Sequence, residues 1–259
     1  MTKLYNSLFY SKPIEVENIN GEILVIITDN LGRETIYSWY DIKEKNTESI
    51  YINKCLLGGF IKKVPKNVLI IGFGGGAFAK YLEDHLQNIN ITGIEIDKAM
   101  IEIAKKEFKV KTNNFYISDA LKAIEKIIKQ KKLYDLILID VYGSNGEMPE
   151  YFQEKIFFKN IKKILLNDGT ISINFSNYEL ENKKNVEKYN KIHSNLINYF
   201  GKYYSHILSG KNDRGNIIGI YNLNKKYNAI DFNSSYLEKV KKGIIVYDSK
   251  IIQNTILDT

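Results

Sequence analysis

The run Val68-Leu-Ile-Ile-Gly-Phe-Gly-Gly-Gly-Ala77, followed by Gly93-Ile-Glu-Ile-Asp97, constrains this chain more than any other segment. An apolar strand enters a glycine turn, a helix follows, and a second strand ends in acids. Glycines at 72, 74, 75 and 76 let the backbone approach a ligand closely. A carboxylate at the tip of the second strand, Glu95, stands where a ribose diol can be held. The spacing therefore predicts a nucleotide site.

The flanking pattern extends that unit. Strands are expected over residues 67–72, 90–96, 114–117, 134–140 and 170–175. Helices are expected over 77–86, 98–107, 119–129, 152–166 and 182–200. Such alternation specifies an α/β fold, a doubly wound, mostly parallel Rossmann-like sheet. Residues 206–209 and 216–222 read as closing strands, with an antiparallel hairpin as one arrangement. Before residue 62 the pattern differs. Residues 22–28 and 33–38 are strands around the turn Asp29-Asn-Leu-Gly32, which predicts a small N-terminal β-hairpin domain. Residues 49–62 have helical spacing, with Tyr51, Leu56 and Phe60 facing inward. The expected division is a β domain over 1–48, a nucleotide-binding domain over 49–224, and a tail over 225–259 with a helix near 235–242.

Composition narrows the function classes. The 259 residues carry a formal charge of +7, but the excess is lysine and arginine is almost absent. Arginine is the residue that forks onto phosphates and base edges, so the balance argues against nucleic acid as a partner. The single cysteine, Cys55, excludes an internal disulfide framework. No apolar run reaches the ~20 residues that span a bilayer, and the first residues lack a signal-peptide core. A cytoplasmic protein without membrane contact is the expectation. His85, His193 and His206 are scattered without metal-ligand spacing, and no metal is expected.

Ligands of doubly wound sheets bind at the carboxyl ends of the strands. Strand ends therefore supply the candidates: Gly72, Gly74, Gly75 and Gly76; Glu95; Asp119 with Ala120; and Asp140 with Tyr142. The glycine turn and Glu95 would also serve NAD. Asp119, placed to hold an adenine amine while capping the next helix, favours a sulfonium nucleotide such as S-adenosylmethionine. So does Asp140, which stands where a transferred group would sit.

Over residues 51–175 these motifs, with Ser118-Asp-Ala, Tyr134-Asp-Leu-Ile-Leu-Ile-Asp140 and Leu166-Asn-Asp-Gly169, resemble the spermidine synthase family of aminopropyltransferases. They are closer still to its divergent spermidine synthase-like members. The resemblance implies a transferase of polyamine biosynthesis, moving an aminopropyl group from decarboxylated S-adenosylmethionine to a polyamine-like amine. It also implies a methyltransferase-like Rossmann domain behind an N-terminal β domain, and a homodimer or homotetramer. By position, Glu95 would hold the ribose, Asp119 would contact adenine, and Asp140 would accept the amine's proton. Tyr51 would orient that amine. The sequence departs from the family at three carboxylates, replaced here by Gly75, Asn53 and Gly143. Glu147 and Glu150 are nearby acids that could substitute in acceptor binding. These losses keep two other readings open: a methyltransferase using intact S-adenosylmethionine on a different acceptor, and a catalytically degenerate nucleotide-binding protein.

Overall fold

The computed structural model describes residues 2–28, 32–47, 50–143, 148–175, 183–208, 216–222, 224–225, 231, 234, 238 and 256–258. Two sheets organise them. The first is an antiparallel meander of β1 (Thr2–Tyr5), β2 (Ile14–Ile19), β3 (Glu22–Thr28) and β4 (Glu34–Asp41). The second holds β5 (Asn67–Ile71), β6 (Asn90–Glu95), β7 (Asn114–Ile117), β8 (Tyr134–Ile139), β9 (Leu165–Asn174), β10 (Tyr204–Leu208), β11 (Ile217–Tyr221) and β12 (Ile256–Asp258), in the order β12-β10-β11-β9-β8-β5-β6-β7. Strands β5 to β9 pair in parallel, while β11, β10 and β12 extend the β9 edge antiparallel.

The central strands are apolar because helices cover both faces. All six residues of β8 are buried. Helices α1 (Ile50–Phe60), α2 (Ala77–His85), α3 (Lys98–Lys106), α4 (Ala120–Lys129), α5 (Lys155–Ile164) and α6 (Lys183–Phe200) alternate with the strands. Helix α4 illustrates how local sequence decides an element. Asp119 Oδ1 accepts from the Leu121 amide at 2.9 Å and caps the first turn. Ala120, Ala123, Ile124 and Ile127 then form the buried stripe. Such a cap is worth ~1 kcal/mol, and each buried isoleucine ~1.5–3 kcal/mol.

The chain runs β5-β6-β7 outward in one direction, then returns to place β8 on the other side of β5. The crevice of an open α/β sheet lies at that reversal. Here it opens between the ends of β5 and β8, where the Asp140 amide donates to the Ile71 carbonyl at 2.9 Å.

The expected N-terminal hairpin is β3-β4, and it forms only half of its sheet. Strand β2 alternates buried Ile14 and Val16 with more open Glu15 and Glu17, a period-two pattern that marks a half-buried strand. Strand β1 is mostly exposed and carries almost no such signal. It is fixed by tertiary contacts: Lys3 Nζ donates to Glu107 Oε1 at 2.8 Å, and the Tyr5 hydroxyl to the same oxygen at 2.5 Å. Farther along, the Tyr40 hydroxyl donates to Asp84 Oδ2 at 2.7 Å, while Lys80 pairs with Asp84 Oδ1 at 2.6 Å. These bonds fasten the first sheet onto α2 and α3.

The helix expected over 152–166 divides. Glu150–Gln153 forms a separate 3-10 turn that buries Phe152, and α5 starts only at Lys155. The turn expected at 167–169 is absorbed into β9, whose pairing with β8 shifts register between Tyr134 and Leu136. Strands β10 and β11 pair antiparallel, as expected. On α1, Leu56 is buried and Tyr51 packs against the core; the side chain of Phe60 lies outside the described residues. The helix expected near 235–242 also lies outside them, apart from position 238. Among the described residues, no helix is long and apolar enough to cross a membrane.

Candidate active site

The glycine turn after β5 takes its shape from close approaches. Gly72 has φ of +82°, and a Cβ there would lie 2.0 Å from the Asp140 carbonyl oxygen. Only glycine permits both the dihedral and the contact. The amides of Gly72 and Phe73 donate to the Ile94 carbonyl at 3.0 and 3.1 Å, which joins the turn to β6. Gly76, at φ +94°, begins α2.

Glu95 is pinned from both sides. Its Oε2 accepts from the Gly74 amide at 2.8 Å, and its Oε1 from the Ile96 and Asp97 amides at 2.8 and 3.0 Å. Burial lifts its carboxyl above the ordinary range, against those amides, which favour the ionised form. A carboxylate offers about four lone-pair positions, so one remains for a ligand hydroxyl. Asp97 caps α3 through the Ala99 amide at 2.9 Å, and its other oxygen accepts from the Ser7 hydroxyl at 2.5 Å.

These acids line a cavity of about 330 Å³ with Ser118, Asp119, Ala120, Tyr142, Gly143 and Tyr151. Asp119 therefore holds both positions expected of it, at the cavity wall and at the cap of α4. The Tyr151 hydroxyl also bonds to it, and burial beside that acid pushes the phenol well above its usual range. Phe9 and Tyr10, from the segment linking β1 to β2, close the opposite wall.

A second cavity of about 340 Å³ adjoins the first and holds Asp140, Tyr51, Ser38, Asn174 and Phe78. Asp140 Oδ1 accepts from Asn174 Nδ2 at 2.9 Å, and the Tyr51 hydroxyl bonds to the same carboxyl group. Burial raises the Asp140 pKa to about 6, with both bonds pulling the other way. Burial and the Asp140 charge together hold the Tyr51 phenol well above its usual range. Tyr51 and Asp140, 89 positions apart in the chain, are thus in contact.

Other expected residues fare differently. Tyr142 lines both cavities, but its hydroxyl already donates to the Asn174 carbonyl at 2.5 Å. Glu150 is exposed on the 3-10 turn and is not among the residues lining either cavity. Glu147 and the side chain of Asn53 lie outside the described residues. Gly75 has a structural reason to lack a side chain: a Cβ there would meet Val25 Cγ2 at 2.9 Å and Ser38 Cβ at 3.0 Å. The first sheet occupies the space that a loop aspartate would need. Asn174 was missed, although its place at the end of β9 follows the strand-end rule. Tyr10 and Tyr37 were missed for want of any local signal. Tyr37 comes from β4 and Tyr10 from the β1–β2 connection; they touch edge to face at 6.5 Å and share a hydrogen bond.

A methyltransferase-like α/β sheet, a glycine turn against an acid at the second strand, and a buried acid at the fourth define a class: nucleotide-dependent group-transfer folds. The chain belongs to the spermine/spermidine synthase domain family, whose model matches residues 55–234. Among curated relatives it is 28% identical over 121 residues to "eEF1A lysine and N-terminal methyltransferase" of Mus musculus, covering 43% of this chain and 17% of that protein. It is 26% identical over 164 residues to "Polyamine aminopropyltransferase" of Neisseria meningitidis, covering 61% of each. The chain therefore spans less than a fifth of the first relative and under two thirds of the second. The structure of "a probable spermidine synthase" from Corynebacterium glutamicum superposes over 100% of this chain and 90% of that one, with a TM-score of 0.74 at 16% identity. That likeness establishes the two-sheet fold.

Proposed function

We propose that the chain transfers an aminopropyl group from decarboxylated S-adenosylmethionine to an amine. One observation carries the choice of donor. Among the described residues lining the two cavities stand four carboxylates, Glu95, Asp97, Asp119 and Asp140, and no lysine, arginine or histidine. A decarboxylated donor presents a sulfonium and an ammonium, both matched to that field. The carboxylate of the intact donor would enter an acidic cavity without a cation to meet it, which is costly in a site of low dielectric.

The step needs alignment and one proton acceptor. The neutral amine's lone pair attacks the propyl carbon next to sulfur. The C–N bond forms as the C–S bond breaks, and the bonding pair goes to sulfur, leaving neutral methylthioadenosine. The new ammonium gives its proton to Asp140, directly or as it departs. Tyr51 and Asn174 hold that carboxylate in place, which is the positioning contribution. With Asp140 titrating near 6, kcat/KM should rise as pH climbs to about 6 and level off above it. A pH–rate profile in which this limb is absent would remove Asp140 from the role of base.

A second reading, methyl transfer from intact S-adenosylmethionine to a different acceptor, is supported by the likeness to "eEF1A lysine and N-terminal methyltransferase". A homodimer or homotetramer working in the cytoplasm on polyamine biosynthesis belongs to the main proposal and rests on family likeness alone. Calorimetric titration with S-adenosylmethionine, its decarboxylated form, methylthioadenosine and NAD tests the choice. Tighter binding of the decarboxylated donor is expected. Preference for the intact donor moves the assignment to methyl transfer, and binding of none leaves a degenerate site.

A further inference from the structure

Three residues, Gly72, Tyr37 and Tyr142, line both cavities and so bound the passage between them. If Glu95 holds a ribose on one side and Asp140 faces the reacting carbon on the other, the sulfur of the donor lies in this passage. A sulfonium has a full positive charge and no N–H or O–H to donate. Negative charge, lone-pair oxygens and aromatic π faces are what recognise it. Gly72 offers no side chain, which leaves the rings of Tyr37 and Tyr142. Tyr37 is the better placed of the two. Its ring lies against the glycine turn, since a Cβ at Gly74 would meet Tyr37 Cε1 at 3.5 Å. Its hydroxyl is bonded with Tyr10, which restrains the ring. Glu95 and Asp140 are both near enough to act on it electrostatically.

We propose that Tyr37, reaching over from the first sheet, is a specificity-determining residue that recognises the positive charge on the donor's sulfur. The inference rests on the nucleotide reading above but not on which group is transferred. Its consequence is discrimination between the charged donor and the neutral thioether product, which would favour product release after transfer.

The test compares two nucleosides that differ by one methyl group and one charge: methylthioadenosine and its S-methylated sulfonium. Titration of the wild type should show tighter binding of the sulfonium. In Tyr37→Leu that affinity should fall by about tenfold, while methylthioadenosine changes by less than about twofold. Tyr37→Phe should keep most of the preference, because the ring remains. Replacement of Tyr37 by pentafluorophenylalanine keeps the ring's shape and inverts its charge distribution. It should abolish the preference even if Tyr37→Leu fails to fold. Equal weakening of both ligands in these variants would make Tyr37 a simple wall and overturn this inference alone. A wild type that binds neither nucleoside overturns the nucleotide reading, and this inference with it.

Discussion

Asp140→Asn should lower kcat by roughly 10²- to 10⁴-fold and leave nucleotide affinity within a few-fold. The amide keeps the size of the carboxylate and can still accept from Asn174, so the pocket's shape is conserved. What disappears is the proton acceptor. Single-turnover kinetics and titration on the same sample separate the two effects. Unchanged turnover would refute Asp140 as the base in either transferase reading.

The same substitution should stabilise the protein above pH 6. Burial raises the folded-state pKa of Asp140 to about 6, above its ordinary value of 3.8. A carboxyl group shifted upward favours the native state while it is protonated. That contribution is complete below the unfolded pKa and is lost as pH rises through about 6. At pH 7.5 the wild type therefore carries a buried charge costing about 2–3 kcal/mol, which asparagine removes. Melting curves of both proteins should diverge at pH 7.5, with the variant more stable, and converge near pH 4. A variant less stable at both pH values would show that the carboxylate is retained for the fold rather than for chemistry.

Gly72→Ala should be the most damaging glycine-to-alanine substitution among the described residues. The added Cβ would lie 2.0 Å from the Asp140 carbonyl oxygen and 2.7 Å from its carbon. Both are backbone atoms that cannot rotate away, so β5 and β8 must separate at their ends. The left-handed φ adds ~1–3 kcal/mol of its own. A total of roughly 3–5 kcal/mol is expected, which lowers Tm by about 10 °C in a domain of this size. Activity should fall further than stability, because displacement of Asp140 by about 1 Å costs ~10²-fold in a positioned reaction. Gly32→Ala is the control. Gly32 has φ of +79° but nothing within 4 Å of its missing Cβ, so it incurs the dihedral cost alone. Equal melting shifts in the two variants would show that the close approach at Gly72 is unimportant.

Much of the larger sheet was legible because its signals are local. The apolar runs of β5 and β8, the cap at Asp119 and the stripe of α4 each lie within one short window. The same is true of Gly72, Glu95, Asp119 and Asp140, which strand ends deliver to one crevice by topology. Elsewhere the deciding contacts come from distant parts of the chain. Strand β1 is held by Glu107 on the far side of α3, and Phe152 is buried on a turn of its own before α5. Glu150, ten positions after Asp140, is exposed on that same turn.

The sequence by itself therefore determined the α/β alternation, the glycine turn, and which acids close which strands. Periodicity, caps and turn chemistry are written within a few residues of where they act. Only the tertiary structure decided that Tyr51 bonds to Asp140, that Asn174 holds both Asp140 and Tyr142, and that Tyr37 bounds the passage between two cavities. It also decided that position 75 has no room for a carboxylate, because Val25 and Ser38 of the first sheet lie over it. Each of these is an approach between segments far apart in the chain, set by how two sheets pack, and no local pattern records it.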